Sequence, residues 1–253
     1  MKRILITNDD GFESEALLKL VKRLKKDLKA HILVVAPARE KSACSHAITL
    51  SQPLRFVKVA KDFYKLDDGT PSDCVYLALA KFYKKTLPDL VISGINKGAN
   101  VGEDISYSGT CGGAMEAVLQ GIPALALSQL YENPKKLNYK NALKITSKIV
   151  KKILNKGFPL NKKEFLNVNF PAKKLRGIKI CKMGKRVYNF KASSHSNPRG
   201  QEFFWLPLTD LEFRGKNSDV AFLKQGFATM TPIRLDFTAY ESFKTLKKWL
   251  RNT

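Results

Sequence analysis

The chain has 253 residues, 44% of them hydrophobic, with 45 Lys and Arg against 22 Asp and Glu for a net charge of +23. That length and apolar content suffice for one substantial α/β core, and no apolar run approaches the roughly 18 residues that span a bilayer. The stretch behind Met1-Lys2-Arg3 is too short for a secretory signal, and the four cysteines (Cys44, Cys74, Cys111, Cys181) are scattered without a Cys-x-x-Cys pair, which argues against a disulfide framework or a cysteine zinc site and for a reducing cytoplasm.

In chain order, "ILI" at 4–6 reads as a buried strand, and Leu17, Leu20, Val21, Leu24 and Leu28 recur at helical spacing over about 14–29. "HILVVAP" is a second buried strand, and "FVKVAKDFYKL" reads as extended segments with a turn. "TPSDCVYLALAKFY" is a helix that Thr70 or Ser72 can cap, with Pro71 in its first turn. "PDLVISG" is a strand, "SGTCGGAMEAVLQG" a helix closed by Gly121, and "PALALSQ" another strand. Apolar strands alternating with helices define an α/β fold, a Rossmann-like, doubly wound, mostly parallel sheet over residues 1–130.

The second half, 131–253, is expected to complete the same body with a β-rich extension and a terminal helix. "NYKNALKITSKIVKKILNKG" is a helix, and "FLNVNFP", "GIKICKMG" and "GFATMTPIRLDF" are strands. A hairpin is predicted over about 185–208, with "VYNF" and "EFFW" as arms around Ser-His-Ser-Asn-Pro-Arg-Gly, and "ESFKTLKKWL" forms the final helix. The aromatic arms are candidates for packing on another subunit.

The charge sits largely in lysines on predicted helix faces, as in "LVKRLKKDLK" and "ALKITSKIVKKILNK". No arginine cluster interleaved with aromatics and no helix-turn-helix or zinc-finger pattern accompanies it, so the charge reads as a solvated surface able to attract anionic substrates. Binding of nucleic acid through charge alone is the competing reading.

Ligands of a parallel α/β sheet bind beyond the carboxyl ends of its strands. Four such loops are rich in small and polar residues: Asn8-Asp9-Asp10-Gly11, Arg39 to Ser45, Gly69 to Asp73, and Ser93 to Thr110. Adjacent side chains within a strand point to opposite faces, but past the strand end Gly11 lets the backbone turn, so Asp9 and Asp10 can aim at one point. Two carboxylates that close repel unless one is protonated or a cation lies between them. The plainer alternative is a turn that caps the next helix. The remaining loops supply Ser42, Ser45, Ser93, Asn96, Asn100 and Ser108, and a helix start at Ser108-Gly109-Thr110 suited to phosphate oxygens. Carboxylate, amide and hydroxyl oxygens favour Mg²⁺ or Mn²⁺ over zinc. Neither a Walker A sequence nor Gly-x-Gly-x-x-Gly is present.

"ILITNDDG", "VVAPAREKSACSHAITL", "DGTPSDCVYLAL", "LVISGINKGANVGEDISYSGTCGGAMEA" and "GIPALALS" together resemble, in order, the SurE survival-protein family of metal-dependent 5′/3′-nucleotidases. The resemblance continues more weakly through "NPRG" and "ATMTPIRLDFTAY". It implies phosphomonoester hydrolysis on nucleoside monophosphates, one divalent ion (Mg or Mn) per subunit held by Asp9, Asp10, Ser42 and Asn96, and phosphate near Asn96, Asn100 and Ser108 with Gly109 and Thr110 beside them. It also implies a homodimer or homotetramer formed through the C-terminal extension. No membrane and no specific nucleic acid are expected as partners. Departures are Ala43 in place of a glycine, His46 in place of a smaller polar residue, "FESEALL" after the acidic turn, and Tyr240 where some relatives have histidine.

The expected mechanism is metal-assisted attack of water on phosphorus, with Asp9, Asp10, Asn100 and Ser108 as the catalytic groups and either aspartate orienting the water. The phosphorylated aspartate of haloacid-dehalogenase-like phosphatases lies within Asp-x-Asp, a spacing absent here. A nucleotide-binding sensor without catalysis would use the same pocket. His46 reads either as a proton donor to the leaving group or as a solvent-facing hydrogen-bonding side chain. His195 and Arg199 meet substrate only if the hairpin folds over a site, and Cys111 is small core packing.

Overall fold

The computed structural model describes residues 1–133, 137–172, 174–187, 192–206 and 212–251. Ile4, Leu5 and Ile6 are fully buried in β1 (Lys2–Thr7), near the middle of a nine-stranded sheet. β1 pairs in parallel with β2 (Ala30–Pro37) on one side and β5 (Leu90–Lys97) on the other. Beyond β2 lie β4 (Phe63–Asp67) and the antiparallel edge strand β3 (Arg55–Ala60). Beyond β5 come β6 (Ala124–Gln129) and β7 (Glu164–Phe170), both parallel. β13 (Phe227–Arg234) then runs antiparallel to β7, and β8 (Gly177–Ile180) closes the far edge. One sheet therefore runs through both halves of the chain, as a Rossmann-like α/β fold with a β-rich C-terminal extension.

From β1 the chain adds β2, crosses to the edge strand β3, steps back to β4 beside β2, and then returns to lay β5 on β1's other side. The reversal between β1 and β5 is a topological switch point, where such sheets open a crevice at their carboxyl ends.

Helices α1 (Glu15–Asp27) and α4 (Lys140–Lys156) cover one face, through Leu17, Leu20, Leu24, Ala142, Ile145 and Ile153. The other face carries α2 (Pro71–Phe82) and α3 (Gly109–Leu119), packed through small residues such as Cys74, Ala78, Cys111, Ala114 and Ala117. Thr70, and not Ser72, caps α2: its Oγ1 accepts from the Asp73 amide at 3.1 Å while Asp73 Oδ2 accepts from the Thr70 amide at 2.9 Å.

Three features depart from the sequence reading. β5 extends through Asn96 and Lys97 after a register shift between Ser93 and Asn96, so Asn96 sits on a strand end and not in a loop. The partner of "EFFW" (β11, Glu202–Trp205) is β10 (Ser193–Ser196), while the rest of the expected "VYNF" arm, 188–190, lies outside the described residues. The turn explains this: the Asn197 amide donates to Gln201 O and the Gly200 amide to Asn197 O, both at 2.9 Å, so the serines next to the turn pair first. Below it, β9 (Lys185–Val187) pairs with β12 (Glu212–Arg214). Two short segments also form a 3-10 helix at Gly102–Ser106 and α5 (Asp219–Lys224), neither evident from periodicity. The chain ends in α6 (Phe243–Arg251).

Candidate active site

Past Thr7, the Asn8 side chain donates to Gly11 O at 2.8 Å and Gly11 adopts φ +92°, a conformation open to glycine, so the chain turns back over the sheet. The turn buries Asp9, 3% exposed, against the start of α3. Its Oδ2 accepts from the Thr110 amide at 2.9 Å and its Oδ1 from the Thr110 hydroxyl at 2.5 Å, while its carbonyl accepts from the Lys41 amide at 2.7 Å. Burial raises the Asp9 pKa, and the two Thr110 bonds oppose that rise. Asp10 is partly buried, with Oδ2 accepting from the Lys97 amide at 3.1 Å. Burial, and then the charge of Asp9, push its carboxyl up to about 7. Asp9 thus sits against the start of α3 and Asp10 against the end of β5, close enough for the charge of Asp9 to act on Asp10.

Glu40 is a third acid there, and its charge raises both aspartates. The Ser42 hydroxyl donates to Glu40 Oε1 at 2.6 Å, and the Asn96 side chain donates to Gly98 O at 3.0 Å. Among the described residues no three His, Cys, Asp or Glu side chains form a metal cage, so a cation here would rest on two carboxylates completed by neutral oxygens.

The glycines of "SGTCGGA" let α3 press against these loops. A Cβ at Gly109 would lie 2.7 Å from Cys44 Sγ and 3.0 Å from Asp9 Cβ, and one at Gly112 would lie 2.3 Å from Ser45 O. Ser45 in turn donates to Ser106 O at 2.6 Å. Farther along α3, Glu116 Oε2 lies 2.9 Å from His46 Nε2, so His46 tethers its loop to the helix and is not the solvent-facing group expected. The Gly69 to Asp73 loop supports the same segment: Thr70 Oγ1 donates to Ala47 O at 2.7 Å, and Asp73 accepts from the Thr49 amide and hydroxyl.

Ser108 caps α3, its Oγ accepting from the Cys111 amide at 3.1 Å. Thr110 spends both its amide and its hydroxyl on Asp9. Asn100 is buried in an amide network: its Nδ2 donates to Ser128 Oγ at 2.8 Å, its amide to Asn169 Oδ1 at 2.8 Å, and its carbonyl accepts from Asn167 and Asn169. Ser128 is the register partner of Asn96, which places Asn100 beside the end of β5. Sequence reasoning missed Glu40, Ser128, Asn167 and Asn169. Two asparagines at period two inside the apolar strand "FLNVNFP" were the available signal, because a buried amide demands a partner. Cys111 is fully buried and its thiol is pushed up to about 12 by burial, in keeping with a packing role. His195 and Arg199 lie exposed on the hairpin and its turn, and Tyr240 donates to Asp236 at 3.1 Å.

Fold and site together define a Rossmann-like α/β protein with an acidic, oxygen-rich centre at its topological switch point. The profile described as Survival protein SurE matches residues 4–190. A 5′-nucleotidase SurE of Campylobacter jejuni (strain 81116) is 71% identical over 99% of this chain and 98% of its own, and one of Campylobacter lari is 66% identical over 100% of both. The crystal structure of the SurE protein of Aquifex aeolicus superposes with a TM-score of 0.83 at 36% identity, covering 98% of this chain and 99% of that one. The chain belongs to the SurE family.

Proposed function

We propose that this chain is a 5′-nucleotidase that hydrolyses nucleoside monophosphates, 5′- and also 3′-, to nucleoside and phosphate with one divalent ion, Mg²⁺ or Mn²⁺, per subunit. The observation that carries the reading is the Asp9–Asp10 pair at the switch point of a chain whose relatives at 66–71% identity bear that name. The residues fit a hard cation. The donors are all oxygens, the charge of Asp9 raises the affinity of Asp10 for positive charge while that of Glu40 raises both, and among the described residues Asn8 Oδ1 is buried without a hydrogen-bond partner. Asp9, Asp10, Ser42 and Asn96 would hold the ion, which supplies charge stabilisation at a phosphoryl oxygen and makes a nearby water easier to deprotonate.

The chain's own groups do the rest. Thr110 fixes both oxygens of Asp9, which makes Asp9 the anchoring carboxylate. Among the described residues Asp10 accepts a hydrogen bond only at Oδ2, so its other oxygen suits the orientation of the attacking water. Asn100, Ser108 and the first turn of α3 at Gly109 bind the remaining phosphate oxygens, where partial positive charge of the helix start meets the anion. Thr110 contributes through Asp9.

We read the C-terminal extension as the surface that joins copies into a homodimer or homotetramer. Phe203, Phe204 and Trp205 of β11 are 52%, 64% and 67% exposed, and Trp249 of α6 is 62% exposed, more aromatic area than a soluble monomer ordinarily leaves in water. Among the described residues no helix is long and apolar enough to cross a membrane. Four free cysteines support a cytoplasmic location.

The test is phosphate release from a panel of nucleoside monophosphates with Mg²⁺, Mn²⁺ or EDTA. Turnover is expected with metal, is abolished by EDTA, and falls at least about 100-fold in Asp9→Asn and Asp10→Asn with the fold retained. Full activity in both variants would end the assignment. Tight mononucleotide binding without phosphate release would mark a sensor instead.

A further inference from the structure

We propose that Asp219, from the C-terminal part of the chain, is a positioning residue for phosphate binding: it holds the loop between Asn100 and Ser108 in place by capturing the Gly102 amide. The inference rests on the nucleotidase reading of the site. Asp219 is fully buried, yet its carboxylate approaches three backbone N–H groups. Oδ2 accepts from Gly102 at 2.9 Å, and Oδ1 accepts from Gly184 and Val220, each at 2.7 Å. Three such bonds offset part of the cost of burying the carboxylate, and the Asp219 pKa is nevertheless raised, burial being the larger influence. A helix turn needs no such group for its own sake, since Ser218 already caps α5 through the Ala221 amide at 3.3 Å.

Of the three donors, Gly102 alone comes from the active-site loop. It is two residues from Asn100 and opens the 3-10 helix that leads to Ser108. Gly102 has φ +54°, and its neighbour Val101 packs on Val220 and Leu223 of α5. A second tie lies one turn on. The Arg186 amide of β9 donates to Glu103 Oε2 at 2.5 Å, and its guanidinium donates to Asp104 at 2.7 Å. Asn100 itself is held from the opposite side by Asn167 and Asn169 of β7. The loop is therefore gripped between the sheet and the C-terminal segment. Without Asp219 it keeps its inner grip and the Arg186 ties but loses the bond at Gly102, next to Asn100, so Asn100 and Ser108 hold their common spacing less well. Misplacement on the ångström scale costs about 100-fold in rate in well-ordered sites.

The experiment compares the full-length wild type with Asp219→Asn and Asp219→Ala, using Mn²⁺ and a mononucleotide the wild type turns over. Readouts are kcat, KM, inhibition by inorganic phosphate, melting temperature, and amide exchange at Gly102. Glu164→Gln, which breaks the Arg234 ion pair at 2.8 Å on the remote side of the sheet, controls for lost stability. Asp219→Ala is expected to weaken phosphate inhibition and lower kcat/KM by about 10- to 100-fold, with faster exchange at Gly102. Asp219→Asn, which keeps one acceptor, should fall between it and wild type. The Glu164 variant should lose stability while keeping KM and phosphate inhibition. Unchanged phosphate inhibition in a folded Asp219→Ala protein, or equal losses in the Glu164 control, would overturn the proposal. A wild type that releases no phosphate from any mononucleotide would instead sink the nucleotidase reading.

Discussion

Asp9 and Asp10 are neighbours in sequence with different surroundings. Asp9 is bonded at both oxygens by Thr110 and almost sealed from water, whereas among the described residues Asp10 accepts one bond, from the Lys97 amide. Because burial raises the Asp10 carboxyl to about 7, the folded protein without metal favours its protonated form. That contribution to stability is fully present below the unfolded value near 4 and is lost as the pH rises through 7. A divalent ion competes with the same proton. Its affinity should therefore climb by up to about tenfold per unit below pH 7 and level off above it. Calorimetric Mn²⁺ titrations between pH 5.5 and 8 test this. Asp10→Asn should flatten the slope, and a wild-type affinity independent of pH would contradict the assignment. Ala43 and Ser45 show the cost of shaping this site, since both adopt φ +56°, a region that favours glycine. Asp9, Asp10, Asn96, Asn100 and Ser108 stood out in sequence as candidates because small polar residues gather where apolar strands end. Asn167, Asn169 and Asp219 did not, because a polar residue within a strand or far along the chain carries no mark of its partner.

At the level of elements, α3 decides the geometry. Its apolar and small-residue composition predicted a helix over 108–121, and the structure gives Gly109–Leu119 with Ser108 as cap. The periodicity could not show that the glycines permit contact between a helix and three loops. Replacing Gly112 by Ala tests this. Helix propensity alone would favour Ala by about 1 kcal/mol. The new Cβ, however, would lie 2.3 Å from Ser45 O, and backbone overlap of that kind costs about 1–3 kcal/mol. The overlap should win, giving a net destabilisation in urea denaturation, together with displacement of the segment that carries Ser42. A gain in stability would mean that the loop yields freely.

For the molecule as a whole, the charge has a location. Lys144, Lys148, Lys151, Lys152 and Lys156 of α4 are all exposed, and they share one face with the lysines of α1. Few acids lie among them, although Asp27 bonds Arg23 and Ser147 where the two helices meet. Exposed aromatics gather on β11, with Phe203, Phe204 and Trp205, and on α6, with Phe243 and Trp249. Light scattering should therefore find a dimer or tetramer, and Phe204→Glu with Trp205→Glu should shift it toward monomer. A wild-type monomer at micromolar concentration would remove the oligomer from the proposal.

Because burial imposes periodicities of 2 and 3.6 that depend on near neighbours, the amino-acid order alone determined the main strands and helices of the first 130 residues and the acidic turn after β1, though not the 3-10 helix at Gly102–Ser106 or the end of β5. It also determined the oxygen-only donor chemistry. Tertiary structure alone decided that β1 and β5 lie side by side at the switch point, that Thr110 serves Asp9, and that residues near 186 and 219 grip a loop a hundred positions earlier. These are pairings between distant segments, and pattern along the chain does not encode which buried donor will meet which buried acceptor.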